Sequence, residues 1–184
     1  LCREDSMNLY LSPNGRIDQS TYWRGVITLF VISSVLAAVS AYVSPFLGML
    51  GIVFIWPWIV LHVKRFHDAD MTGWITIGMV VLAAILSMVL GLILPGLFGV
   101  DAMAMSEQLT RDMEDMAASN DPGAMIAATM EATKKMTQAQ LLPNILSTAI
   151  VTGVVGFVMS LFKSTPGTNK FGPPPGGPSE ETFA

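Results

Sequence analysis

Five ionisable side chains, Lys64, Arg65, His67, Asp68 and Asp70, fall within the seven residues of "KRFHDAD", and Trp74 follows shortly after. A histidine beside two carboxylates is the material of a metal site or of proton transfer. A metal would need a further ligand, and His62 is the other histidine of the chain. On a helix His62 lies a full turn away, and the adjacent His67 and Asp68 point in different directions. The spacing therefore favours a structural ion-pair network, and no catalytic residue, metal ligand or cofactor is assigned to it.

A second polar stretch, "NGRIDQSTYW", brings Arg16, Asp18, Tyr22 and Trp23. "DQST" reads as a helix start, and Tyr22, Trp23 and Trp74 read as aromatic anchors at a membrane–water boundary. Asp68 and Asp70 read as caps for the helix that follows them. A contact of Arg16 with Asp68 or Asp70 would tie the first helix to the second loop, and exchanging the charges is its test. A third stretch, "STPGTNKFGPPP", adds Asn169 and Lys170. If the three share one side of a membrane, Arg16, Arg65, Asp68, Asn169 and Lys170 come within reach of one another. Such a polar cap is first a structural lock, and second a site for a lipid headgroup or a partner.

The elements that must position these residues are unusually apolar. The 184-residue chain is 52% hydrophobic and 13% charged, about half the charge of a soluble domain, which carries roughly 25%. Its mean hydropathy is +0.54. Four runs contain no acidic or basic side chain except His62: residues 25–43, 46–63, 74–94 and 144–162. A helix of about 20 residues crosses the hydrocarbon of a bilayer, so each run suffices. The expected fold is all-α, a polytopic membrane protein of four transmembrane helices with an external amphipathic helical insertion. Residues 1–24 form a cytoplasmic N-terminal segment, 25–98 the first three spans with a cytoplasmic loop at 64–73, 99–143 the insertion, 144–162 the fourth span and 163–184 a Pro/Gly-rich tail. Ser44–Pro45 allows only a tight hairpin between the first two spans, and Pro57 is expected to kink the second. The third is expected to end at Pro95–Gly96.

Seven of the ten basic residues (Arg3, Arg16, Arg24, Lys64, Arg65, Lys163 and Lys170) fall on one side of this arrangement. The positive-inside rule makes that side cytoplasmic, with both termini there. The insertion carries three basic residues against seven acidic ones. Within it Met105, Leu109, Met113 and Met116 recur at helical spacing and predict an amphipathic helix. "SNDPG" breaks that helix, Asp121 and Pro122 suit the start of a second one, and the second is expected over Gly123 to about Gln140, stopping before Pro143. Seven of the 13 methionines lie in the insertion. Thioethers bind Cu(I), but the same residues make the apolar helix faces, and no histidine or cysteine accompanies them. Ser33, Ala37 and Ala41, and Thr148, Thr152, Gly156 and Ser160, form small-residue faces suited to close helix packing. The opening "LCREDS" lacks the apolar run of a secretory leader, Met7 opens a plausible segment, and Cys2 carries no functional weight.

"GRIDQSTYW", "KRFHDADMTGW" and "STPGTNKFGPPP", in this order around four spans, resemble the bacterial inner-membrane family known as domain of unknown function 805. The likeness rests on Gly15–Arg16, Tyr22–Trp23, Arg65 with His67–Asp68, Gly73–Trp74, and Pro166–Gly167 with Asn169 to Gly172. It covers about residues 9–98 and 142–175. Gln19 and Met71 stand where the family often has a basic residue, Phe66 replaces a leucine, and the insertion is longer than the family's link. The resemblance implies a membrane fold and brings no activity. No span holds a carboxylate, lysine or arginine of the kind that proton or ion pathways use. Phosphate-binding loops, serine-hydrolase arrangements and zinc-protease motifs are lacking too. The function expected is a non-catalytic accessory or scaffold subunit of a larger inner-membrane complex, partnered by membrane lipids and other membrane-protein subunits and not by nucleic acid. The competing reading is a small transporter or lipid-headgroup binder that uses the polar cap.

Overall fold

The computed structural model describes residues 8–117 and 122–175. Cys2, Arg3, Met7, the Asp121 cap and tail residues 176–184 lie outside the described residues. After a helical turn at residues 8–11 comes α1 (Gln19–Tyr42), then a 3₁₀ stretch (Pro45–Phe54) that leads into α2 (Ile55–Asp68). A short 3₁₀ turn (Gly73–Ile75) opens α3 (Thr76–Leu97), followed by α4 (Ala102–Ala117), α5 (Pro122–Ala139) and α6 (Leu141–Ser160). Among the described residues there is no strand. Four helical segments, Gln19–Tyr42, Pro45–Asp68, Gly73–Leu97 and Leu141–Ser160, are long and apolar enough to cross a membrane. Only 11–28% of the residues in their most apolar windows are buried, so Val31, Val81, Leu92 and many like them face outward. Water would penalise that surface heavily, whereas hydrocarbon solvates it.

α1 starts at Gln19, as "DQST" leads one to expect and ahead of the uncharged run that begins at Gly25, because Asp18 caps it. The Asp18 carboxylate accepts the Thr21 N–H at 2.7 Å and the Ser20 hydroxyl at 3.1 Å. Hydrogen bonds from Thr21, with smaller help from Ser20 and Arg24, hold the Asp18 pKa below the usual 3.8. Pro57 is the third residue of α2, just after the change from 3₁₀ to α geometry. It thus sits in a first turn, where no intrahelical donor is needed, and not at a mid-helix kink. α3 continues through Pro95 to Leu97. α5 ends at Ala139, before Pro143 as expected, and Pro143 lies buried in the first turn of α6.

The helices divide between two compact units. The first comprises Leu1–Val31, Ile52–Ile85 and Ile150–Ala184. Its core holds Ile17, Tyr22, Val26 and Leu29 with Leu61, Phe66, Met79, Val155 and Met159. Trp23 packs against α6: its indole Nε1 donates to Ser160 Oγ at 3.0 Å. A Cβ placed on Gly156 would come within 2.5 Å of the Trp23 ring. Gly156→Leu is therefore expected to lower stability by about 1–3 kcal/mol through overpacking, read as a lower melting temperature in detergent. Gly153→Leu, where an added Cβ meets nothing within 4 Å, lowers it not at all.

The second unit comprises Ile32–Gly51 and Leu86–Ala149. The turn after α1 is tight, with Val43 N–H donating to Val39 O and Ser40 Oγ to Pro45 O. Ser33, Ala37 and Ser40 line a small cavity with Gly48 and Gly51. In the insertion α4 and α5 form an antiparallel hairpin, with Met105 and Leu109 beside Ala128, Ala132 and Met136. Of the predicted stripe, Met105 and Leu109 face the hairpin partner while Met113 stays 41% exposed, and outside the stripe Met103, Ile126 and Met130 are exposed as well.

Candidate functional site: a polar clasp

The three polar stretches meet around one carboxylate. Asp68 is the last residue of α2 and is 0% exposed. Its Oδ1 accepts Arg16 Nε at 3.2 Å and Arg16 Nη2 at 2.9 Å, and its Oδ2 accepts Arg65 Nη1 at 2.6 Å. Both guanidinium side chains are 1% exposed. Two buried cations thus share one anion, and bare burial of the surplus charge would be prohibitive.

Backbone carbonyls of the segment after α6 meet that surplus. Arg16 Nη1 donates to Gly167 O at 2.7 Å and to Gly172 O at 3.3 Å, while Nη2 donates to Thr165 O at 2.7 Å. Arg65 donates to Ser164 Oγ at 3.2 Å and to Phe162 O. Its Nε is the one buried guanidinium nitrogen without a partner among the described residues. The planar fork of arginine suits such a ring of fixed acceptors, and a lysine ammonium could reach only part of it. Gly167 and Gly172 have φ of +79° and +127°, which lets the chain turn their carbonyls onto Arg16 without a Cβ penalty.

More of the same segment is tied down. Thr165 N–H donates to Asp68 O at 2.8 Å, and Asn169 Nδ2 donates to His67 O at 2.9 Å. Asn169 Oδ1 in turn accepts the Phe171 N–H. Phe171 stacks on the His67 imidazole, with centroids 3.7 Å apart and planes at 7°. His67 Nδ1 faces Gly15 O at 3.2 Å, so it carries the proton in that contact. The stretch preceding α1, the end of α2 and the post-α6 segment are thereby closed on one another.

Arg16, Arg65, His67, Asp68 and Asn169 are thus brought together, and the remaining expected residues are not. Lys170 stays outside, 58% exposed, loosely paired with Asp70 at 3.8 Å and 5.0 Å from the centre of the Phe171 ring. Asp68 and Asp70 do not cap the third span. Asp70, at φ +57°, ends α2 instead: its N–H returns to His67 O and that of Met71 to Phe66 O, a Schellman closure. The cap of the next turn is Thr72, which accepts Trp74 N–H at 3.4 Å. Tyr22 is no boundary anchor either. It is 1% exposed, and its hydroxyl lies 3.3 Å from His62 Nε2, whose Nδ1 donates to Trp58 O at 2.6 Å. Trp23 is likewise turned onto α6, whereas Trp74 is 77% exposed and free to lie at a boundary. Among the described residues no three His, Cys, Asp or Glu side chains stand close enough to hold a metal ion. Ser164 contributes a hydroxyl, and Phe162, Thr165, Gly167 and Gly172 contribute backbone carbonyls whose direction no side chain in the sequence reveals.

Four apolar spans and a clasp of buried arginines around a single aspartate make this an integral membrane protein, locked by its own termini-proximal segments. The chain belongs to a family described as protein of unknown function (DUF805), whose model matches residues 10–173. That match encloses every residue of the clasp and the α4–α5 hairpin. No curated protein and no solved structure matches the chain.

Proposed function

We propose that this membrane protein is a non-catalytic accessory or scaffold subunit of a larger complex in a bacterial inner membrane. The observation that carries the reading is the inward turn of the clasp. Asp68 is spent on two guanidiniums, the guanidiniums on Asp68 and on fixed carbonyls, and Asn169 on the backbone. Groups so committed hold a shape and leave no nucleophile or general base poised for a substrate. The α4–α5 hairpin supports the same reading, since it keeps Met103, Met113, Ile126 and Met130 exposed beside Glu107 and Asp112. Exposed apolar side chains interspersed with charge suit a subunit interface.

The excess of lysine and arginine at the clasp end supports a cytoplasmic location for it and for both termini. A reporter fused after Asp70 is expected to be active in the cytoplasm only; activity in the periplasm would reverse the orientation. For the subunit role, the chain is purified in mild detergent. Other membrane proteins are expected at fixed stoichiometry and are lost when residues 101–140 are deleted, while the melting of the four spans persists. A homogeneous free protein from native membranes would overturn the role.

A further inference from the structure

A groove of about 660 Å³ opens beside the clasp, between the end of α2 and the start of α3. Its floor and sides are apolar, from Ile59 and Val63 on α2 to Ile77 and Val80 on α3. Its polar side chains, Thr72, Thr76 and the His67 stacked on Phe171, gather where α2 ends and α3 begins. The size falls within the range of about 300–1,000 Å³ typical of small-ligand sites. We infer that this groove seats one acyl chain of an anionic glycerophospholipid, with the phosphate at the rim beside Lys170.

Three observations carry the assignment. The groove lies along two spans, so what reaches its apolar length in a membrane is lipid hydrocarbon. Its polarity runs from one apolar run to one polar end, which matches an amphiphile lying with its chain along the helices. Trp74, 77% exposed on the same rim, is the residue type that settles at headgroup depth.

Charge selects the headgroup. Among the described residues of this unit, six cations (Arg16, Arg24, Lys64, Arg65, Lys163, Lys170) face three carboxylates (Asp18, Asp68, Asp70). Asp68 already serves two arginines, and the exposed Lys170–Asp70 pair at 3.8 Å is loose. Such a pair holds little energy, which leaves Lys170 able to turn to a phosphate. Gly73 keeps the groove in shape, for a Cβ there would strike Val63 at 2.8 Å and approach His67 at 3.3 Å. Phe171, a wall of the groove, is held by the clasp through Asn169, so the site exists only when the clasp is closed.

The full chain in phosphatidylcholine nanodiscs is irradiated with a trace of phosphatidylglycerol bearing a diazirine on its acyl chain. A parallel sample carries the same photoreactive chain on phosphatidylcholine. Phosphatidylglycerol adducts are expected on residues 59–80 and on Phe171, about tenfold above those on the open faces of α1 and α6, a preference of roughly 1.4 kcal/mol. Ile77→Trp fills the groove from a position 57% exposed; it is expected to abolish these adducts while the melting temperature holds. Lys170→Gln is expected to keep the adducts and to remove the preference for phosphatidylglycerol. Even labelling of all outward faces, unchanged labelling in Ile77→Trp, or equal labelling by both probes would overturn the assignment. The subunit role stands or falls separately, since no outcome here depends on co-purifying proteins.

Discussion

Asp68→Asn is expected to be the most damaging isosteric change in the chain. The amide keeps the shape of the carboxylate and removes the one anion that two buried guanidiniums share. Breaking a buried pair by removing one partner costs about 3–5 kcal/mol, because a charge is left without compensation. Here two charges are left, and one Asn amide hydrogen is driven toward an arginine. The expected result is a melting temperature in detergent far below that of the parent chain, with little protein accumulating in the membrane fraction. Asp70→Asn is the control. Asp70 sits two residues away, 47% exposed in a loose pair with Lys170, and exposed pairs are worth about 0–1 kcal/mol. A melting temperature for Asp68→Asn as high as that of Asp70→Asn would show that the clasp contributes no stability.

Exchanging the charges, Arg16→Asp with Asp68→Arg, is expected to rescue nothing. A simple ion pair would tolerate the exchange. This one is embedded: Arg16 also donates to Thr165, Gly167 and Gly172, and Asp68 also accepts from Arg65. In the doubly exchanged chain an aspartate would face three carbonyls and an arginine would face Arg65. Charged hydrogen bonds are worth about 1.5–3 kcal/mol each, so the double variant is expected to melt no higher than Arg16→Asp alone. Arg16→Lys is expected to fall between them and the parent, keeping the charge and losing the fork. Parent-like melting of the double variant would reduce the network to an isolated pair.

Composition alone made the four spans legible, because hydrocarbon demands length and the absence of charge, and both can be read residue by residue. The prolines were less legible. Pro57 and Pro143 suit a first turn as well as a break, and the backbone on either side decides between them. The Arg16–Asp68 contact could be anticipated because opposite charges in separate stretches have few other partners in so apolar a chain. Its completion could not. Five of the groups that satisfy the guanidiniums are main-chain oxygens, and two of these belong to left-handed glycines far along the sequence. Tyr22 and Trp23 mislead for a related reason. An amphipathic aromatic at the end of a span fits the bilayer boundary and fits a helix–helix seam equally well, and only His62 and Ser160 show which it occupies.

The distance along the chain between Arg16 and its acceptors, 149 to 156 residues, sets an order of events in biosynthesis. α1 leaves the ribosome long before the carbonyls that quench its neighbouring guanidinium exist. Until residues 162–172 emerge, Arg16 and Arg65 have one aspartate between them and otherwise only water or headgroups to turn to. The clasp therefore closes last. A chain cut short within the final span would bear an unquenched double cation at the bilayer edge, visible to any protease that patrols membranes for incomplete products.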